Sequence, residues 1–298
     1  MKNMMKYALM AFAVAAALCG CQSVDAEKTA QLKIATCNIQ MAPAPEKVYW
    51  EQTRRDAEKA LQRRYKFDIF GAQETFKHQI DSILPEGYSY VGAGRDDGKE
   101  AGEFSPIIFN AKKIKCLKSG TFWISETPEK VSFGWDAACR RVCTWGEFQD
   151  TASGRKFYFF NTHLDHIGVK ARENGVRLIM RKVAEIAGNN TYFLTGDFNI
   201  TPDNPALAPL FASPKFRHAR DVSEEPAYVP SGTWHAYTGI PTAYIDYIFV
   251  SPDVKVGAFY AITDRLGKVE YDRSKSQNKQ ADVDYASDHF PLCAEVSF

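Results

Sequence analysis

The chain has no Cys-x-x-Cys pair, no G-x-S-x-G elbow, no internal repeat and no surplus of charge of either sign. Each absence removes a class. Without closely paired cysteines, zinc-finger and dithiol redox readings lose support. Without the serine elbow, the hydrolase that attacks through a serine at a sharp strand-to-helix turn has no signature here. Lys and Arg number 37 against 36 Asp and Glu, a formal charge of +1. There is no global basic field to hold duplex DNA irrespective of sequence, although one groove can still be basic. What is present is ordinary for a globular protein: 298 residues, 45% hydrophobic and 24% charged. That excludes a collagen, a disordered tail and a multi-span membrane protein. The 20 Phe, 14 Tyr and 5 Trp suit strand-rich packing.

The first residues stand apart. Lys2 and Lys6 flank the start of an apolar, Ala-rich run, Tyr7 to Leu18, too short to span a bilayer as a helix. Leu18-Cys19-Gly20-Cys21 follows and resembles a bacterial lipobox with Cys21 as the lipidated residue. An ordinary signal peptide cut nearby is the alternative. The expectation is an export signal over 1–20, a polar lipidated tether over 21–31, and one domain over 32–298. The protein is then exported and anchored by lipid to a bacterial membrane. Loss of Lys2 and Lys6 leaves 35 basic residues against 36 acidic ones. Besides Cys21, the mature chain keeps Cys37, Cys116, Cys139, Cys143 and Cys293, an odd number best read as buried strand thiols. Cys139 and Cys143, four apart in one strand, are too distant to bridge.

From residue 32 onward, strand-like and helix-like runs alternate. Strands are predicted at Leu32–Gln40, Phe67–Thr75, Tyr88–Gly94, Phe104–Asn110 and Ile114–Ser125. Further ones follow at Arg141–Asp150, Lys156–Asp165, Tyr192–Asn199, Ala243–Ser251 and Leu292–Phe298. The runs FYFF (157–160) and YIFV (247–250) suit strands buried on both faces. Helical spacing marks Val48–Tyr65, with Trp50, Arg54, Ala57, Leu61 and Arg64 on one stripe, and Val169–Ala187, with Gly188 as its stop. Lys, Asp, Ser and Gln crowd Gly267–Tyr285, which reads as a loop. The pattern argues α/β or α+β, with strands dominating and helices outside packed sheets.

The informative feature is where polar residues interrupt apolar strands. Asn38 comes near the end of one and Glu74 ends another. Asn161, His163 and Asp165 close a third, and Asp197 and Asn199 a fourth. Asp246 sits inside YIDYIF, and Asp288-His289 precedes the last strand. Ionisable groups there are costly to bury unless paired or bound to metal. Each residue alone is weak; together they imply one shared site at a sheet rim. Carboxylate, amide and imidazole with almost no thiol form a hard donor set suited to magnesium or manganese.

In order along the chain, TCNIQ, AQET, NTHLDH, GDFN, IDYIF and SDHFP resemble the endonuclease/exonuclease/phosphatase superfamily, in its secreted bacterial branch. The likeness covers about Leu32 to Phe298. It implies a four-layer α/β sandwich, with two packed, mainly antiparallel sheets flanked by helices. It also implies hydrolysis of a phosphoester by activated water with Mg2+ or Mn2+. On that resemblance Glu74, Asn38 and Asp288 are metal-side residues. Asp197 prepares the water with Asn199 beside it, and His289, held by Asp246, meets developing charge. His163 is a second phosphate-side imidazole. Arg141 is expected to clamp a second phosphate and Trp135 to stack on a base or sugar. Gln40 stands where some nuclease branches carry an acidic residue, against a second tight metal site.

The expected substrate is a nucleotide, an oligonucleotide or a small phosphorylated metabolite, with the membrane engaged through the N-terminal lipid and no obligate protein partner. A sphingomyelinase-like phospholipid phosphodiesterase and a non-catalytic binding lipoprotein of the same fold are the alternatives.

Overall fold

The computed structural model describes residues 28–43, 50–51, 54–265 and 285–298. The export signal, Cys21, most of the tether, parts of the first predicted helix and nearly all of the 267–285 segment lie outside the described residues. Among the described residues, twelve strands form two six-stranded sheets. The first contains β1 (Gln31–Asn38), β2 (Ile69–Gln73), β3 (Tyr88–Val91), β4 (Ile107–Asn110), β11 (Lys255–Ala261) and β12 (Leu292–Ser297), ordered β11-β12-β1-β2-β4-β3. The second contains β5 (Ile114–Trp123), β6 (Val142–Asp150), β7 (Lys156–His163), β8 (Tyr192–Asp197), β9 (Arg217–His218) and β10 (Asp246–Val250), ordered β5-β6-β7-β8-β10-β9.

Both sheets are antiparallel except at one central pair each. β1 runs parallel to β2, with Asn38 opposite Gln73. β7 runs parallel to β8, with His163 opposite Asp197. Parallel neighbours end at the same edge. Asn38, Gln73, His163 and Asp197 therefore finish their strands in register, and these strand ends contribute to one rim. β10 and β12 run antiparallel to β8 and β1, so their N-terminal ends arrive where those strands finish.

Aromatic residues fill the core on both faces of the second sheet. Phe148, Phe157, Phe159, Phe160, Phe193 and Phe249 are fully buried, and Phe148 stacks on Phe157 at 5.7 Å. All of 247–250 is buried, as that apolar run requires. Asn161 departs from expectation. It lies inside β7, where it accepts from Gln73 Nε2 at 2.7 Å and donates to the carbonyls of Ala72 and Pro106 at 2.7 and 2.9 Å. It ties the sheets together. Gly71 makes this possible, because a Cβ there would lie 2.2 Å from Asn161 Oδ1.

The helix Val169–Ala187 matches its predicted bounds and buries Val176, Ile179 and Val183. Gly188, at φ 59°, ends it and donates to the carbonyl of Ala184. The helix Arg54–Tyr65 buries Arg54, Leu61, Glu58 and Gln62, whereas Arg64 is largely exposed. Its inner face is more polar than the predicted stripe. A short helix at Lys77–Ile83 and the strand β11 carry no clear periodicity and were not anticipated.

Candidate active site

Asp197 closes β8 and is 1% exposed. Its Oδ1 accepts from the backbone of Asn199 at 2.8 Å, and its Oδ2 from Asn38 Nδ2 at 2.9 Å. The same amide nitrogen of Asn38 lies 3.0 Å from Glu74 Oε1, while Asn38 Oδ1 accepts from the backbone of Gln40. Asn38 thus joins the two carboxylates as a donor, and its oxygen is turned away toward Gln40. The other oxygen of Glu74 accepts from the backbone of Met41 at 3.0 Å. Glu74, Gln40 and Asn199 all adopt left-handed backbone, at φ 57°, 54° and 51°. Such non-glycine strain is tolerated where surrounding bonds over-determine it. Here it turns each chain sharply at its strand end.

His289 is 5% exposed. Its Nδ1 lies 2.9 Å from Asp246 Oδ2 and its Nε2 3.9 Å from Asp197 Oδ2. Burial disfavours its charged form, but Asp246 and then Asp197 outweigh that and raise its pKa to about 10. Asp197 is pushed the other way from a normal carboxylate, upward, first by burial and then by Asp246. His163 lies 3.6 Å from Asp197 Oδ2 and 2.9 Å from Asn199 Nδ2. Burial, then Arg141 and Arg95, hold it well below the usual imidazole range, so it stays neutral. The two imidazoles flanking Asp197 therefore differ in charge.

The residues fit a divalent cation. Glu74, Asp197 and His289 offer ligand atoms within 4.8 Å of one another. Among the described residues no Lys or Arg pairs with Glu74 or Asp197. Two carboxylates at one rim, flanked by imidazole and without a thiol, suit magnesium or manganese. Asp288 lines the same cleft but is engaged elsewhere, accepting from Trp234 Nε1 at 3.2 Å.

The cleft has a volume of about 680 Å³ and also takes in Arg95, Glu103, Arg141 and Cys139. Arg141 is placed there as expected of a substrate-side residue. Trp135 is not; it is half-buried against the hydrophobic core, and the cleft's tryptophan is Trp234. Asp165 also leaves the expected set. It accepts from the backbones of Ala138, Cys139, Ile167 and Gly168, which shapes the loops beside the cleft.

Several supporting residues escaped the sequence reading. Thr233 donates to Asp246 Oδ2. Buried Arg54 donates to the carbonyls of Ile39, Gln40 and Ala286, tying the turn after Asn38 to the approach to His289. Tyr237 donates to the side chain of Gln40. Their partners are set by loop packing, and no local pattern marks them.

Two facing sheets with a carboxylate–imidazole rim define a phosphoester hydrolase of the four-layer class. The chain belongs to the Endonuclease/Exonuclease/phosphatase family, whose model matches residues 35–289. It is similar to the mannosyl-6-phosphatase of Bacteroides thetaiotaomicron, with 33% identity and a TM-score of 0.81 over 90% of this chain and 100% of that one. An endonuclease/exonuclease/phosphatase family protein of the same organism gives 34% and 0.83 over 91% and 99%. Nocturnin of Drosophila melanogaster is 25% identical over 194 residues, 54% of this chain. The chain spans about a third of the length of the curated relatives it matches, 28% in nocturnin.

Proposed function

We infer that this protein is a divalent-metal-dependent hydrolase of small phosphorylated metabolites, with sugar phosphates as the favoured class. The observation that carries the reaction type is the placement of Asp197 between Asn38 and the Asp246-tethered His289, beside Glu74. The likeness to a mannosyl-6-phosphatase over nearly the whole domain supports the substrate class.

Glu74 would hold the ion at the rim it shares with Asp197. When bound, it supplies polarisation of a phosphoryl oxygen and neutralises charge. Asp197, oriented by the Asn199 backbone and the Asn38 amide, accepts a proton from the attacking water. The water oxygen forms the new bond to phosphorus as the ester oxygen leaves. His289, kept protonated by Asp246, faces that developing charge and can return a proton to the alkoxide. Neutral His163 and the Asn199 amide complete the polar wall.

The same reading sets the enzyme outside the cytoplasm on a Cys21-linked lipid; the charged start and short apolar run support it.

Phosphate release from a hexose 6-phosphate, a mononucleotide, single-stranded DNA, RNA and phospholipid vesicles, each with magnesium and with chelator, tests the function. Magnesium-dependent release should be fastest from the hexose phosphate. Faster cleavage of nucleic acid or lipid would replace the substrate class. No release from any of them would leave a binding protein.

A further inference from the structure

We propose that Arg95, Glu103 and Arg141 form a subsite that reads hydroxyl groups on the alcohol half of the substrate, selecting a neutral vicinal diol over a second phosphate. This rests on the phosphoester-hydrolase reading above. Arg95 Nη2 lies 2.8 Å from Glu103 Oε1, and Arg141 Nη1 lies 3.8 Å from Glu103 Oε2. Each carboxylate oxygen thus faces a different guanidinium. Farther along, Arg141 Nε is 3.9 Å from Asp165 Oδ2 and its Nη2 is 3.2 Å from His166 Nδ1. All three residues line the cleft that holds Glu74, Asp197 and His289.

Arg141 is only 6% exposed, and its Nε has no hydrogen-bond partner. Arg95 Nε and Nη1 are likewise buried and unpartnered. Buried donors without partners are costly, and both guanidinium groups direct other nitrogens to Glu103 beside the cleft. The array is also held in place. Arg95 donates from its backbone to the carbonyl of Glu103 at 3.0 Å, and Trp123 Nε1 donates to the carbonyl of Arg95 at 2.8 Å.

Charge selects the ligand. Two guanidinium groups face two carboxylates, Glu103 and Asp165, so the array is close to neutral. A second phosphate would meet Glu103 as a like charge. A hydroxyl both donates and accepts, whereas guanidinium only donates and ionised carboxylate only accepts. A vicinal diol therefore matches an alternating Arg–Glu–Arg row: one oxygen accepts from an arginine while its hydrogen goes to Glu103. A phosphate clamp built on Arg141 is the competing outcome.

Titration calorimetry on the magnesium-loaded domain tests this with ligands that cannot be hydrolysed: the phosphonate analogue of a hexose 6-phosphate, propylphosphonate, and the bisphosphonate analogue of a hexose 1,6-bisphosphate. The hexose phosphonate should bind about tenfold tighter than propylphosphonate or better, the scale of one hydrogen bond gained net of water. The bisphosphonate should bind no tighter than the hexose phosphonate. In Glu103→Gln, and in the more accessible Arg95→Gln should the first variant fold poorly, the hexose preference should shrink to about twofold. Equal binding of hexose and propyl ligands by the wild type, including no binding of either, overturns the subsite. So does a preference retained in a folded Glu103→Gln, or tightest binding of the bisphosphonate. Because no ligand turns over, failure here is separate from failure of the hydrolase reading, which shows only in phosphate release.

Discussion

Asp197 and Asp246 face each other in register across two antiparallel strands, and His289 lies between them, 2.9 Å from Asp246 and 3.9 Å from Asp197. Directly opposed like charges destabilise a sheet. Here the imidazole bridges both carboxylates, and the pair that would repel becomes the holder of a cation.

That relationship gives the first prediction. Asp246→Asn removes one of the opposed charges and the acceptor that orients His289. Turnover should fall on the order of 10²-fold or more, the scale for misplacing a catalytic imidazole. The melting temperature should hold or rise, because repulsion is relieved. Steady-state kinetics and thermal melts on one preparation check both; near-normal kcat would remove His289 from the chemistry.

Glu74 and Asp197 share one amide donor in Asn38 but are assigned different work. Glu74→Gln should raise the magnesium concentration for half-maximal activity about tenfold or more, a loss of one anionic ligand. Asp197→Asn should chiefly lower kcat, on the order of 10²-fold. The double variant should lose less than the product of the two, since both act in one transition state. Metal-titrated turnover of the three variants decides it, and strictly multiplicative losses would separate the roles.

Glu58 offers a test away from the cleft. It is buried under the helix Arg54–Tyr65, and burial, only partly offset by Arg54, raises its carboxyl from 4.5 to about 8. Between those values the folded state keeps the proton while the unfolded chain releases it. Stability is therefore lost as pH rises from the lower value, and the loss levels off above the higher one. The cost at alkaline pH is on the order of 5 kcal/mol. Glu58→Gln does not titrate, so its urea stability should gain on the wild type between pH 5 and pH 8.5. A difference that stays flat with pH would mean Glu58 is ionised when folded.

The five described cysteines are free. The expectation of a strand holding Cys139 and Cys143 is corrected in part: Cys139 precedes β6, half-buried at the cleft, and Cys143 is buried within the strand. Alkylation of the unreduced domain should modify Cys116 and Cys139 before Cys37, Cys143 and Cys293, because the last three have no access. Mass spectrometry over time resolves the order. A species two protons light and resistant to alkylation would reveal a disulfide.

The anchor at Cys21 is testable in cells. Labelling with a palmitate analogue should mark the wild type and spare Cys21→Ser. Equal labelling of the two would make the leader an ordinary signal peptide.

The order of polar residues along the chain was enough to propose a rim of carboxylates and imidazoles, because strand ends are local features of apolar alternation. Glu74, Asp197, Asn199, His163 and His289 stand in one cleft as that order implied, and Asn38 and Asp246 support it from behind. The same local signal overreached at Asn161 and Asp165. Their residue types match a site, but one points between the sheets and the other serves loop backbones.

Sequence by itself determined ten of the twelve described strands, the long helix to its last residue, and the kinds of chemistry available, since periodicity and residue type are carried by neighbours in the chain. Only the tertiary structure decided which groups meet. Asn38 and Asp197 are 159 residues apart and touch because the two parallel strand pairs finish at a common rim. Thr233 reaches Asp246, and Arg54 reaches the carbonyl of Ala286, through loop packing that no periodicity encodes. The opposite pKa shifts of His163 and His289 arise the same way. Burial disfavours charge on both, but arginines add to that at His163 while carboxylates outweigh it at His289, and charge acts through space without regard to sequence separation.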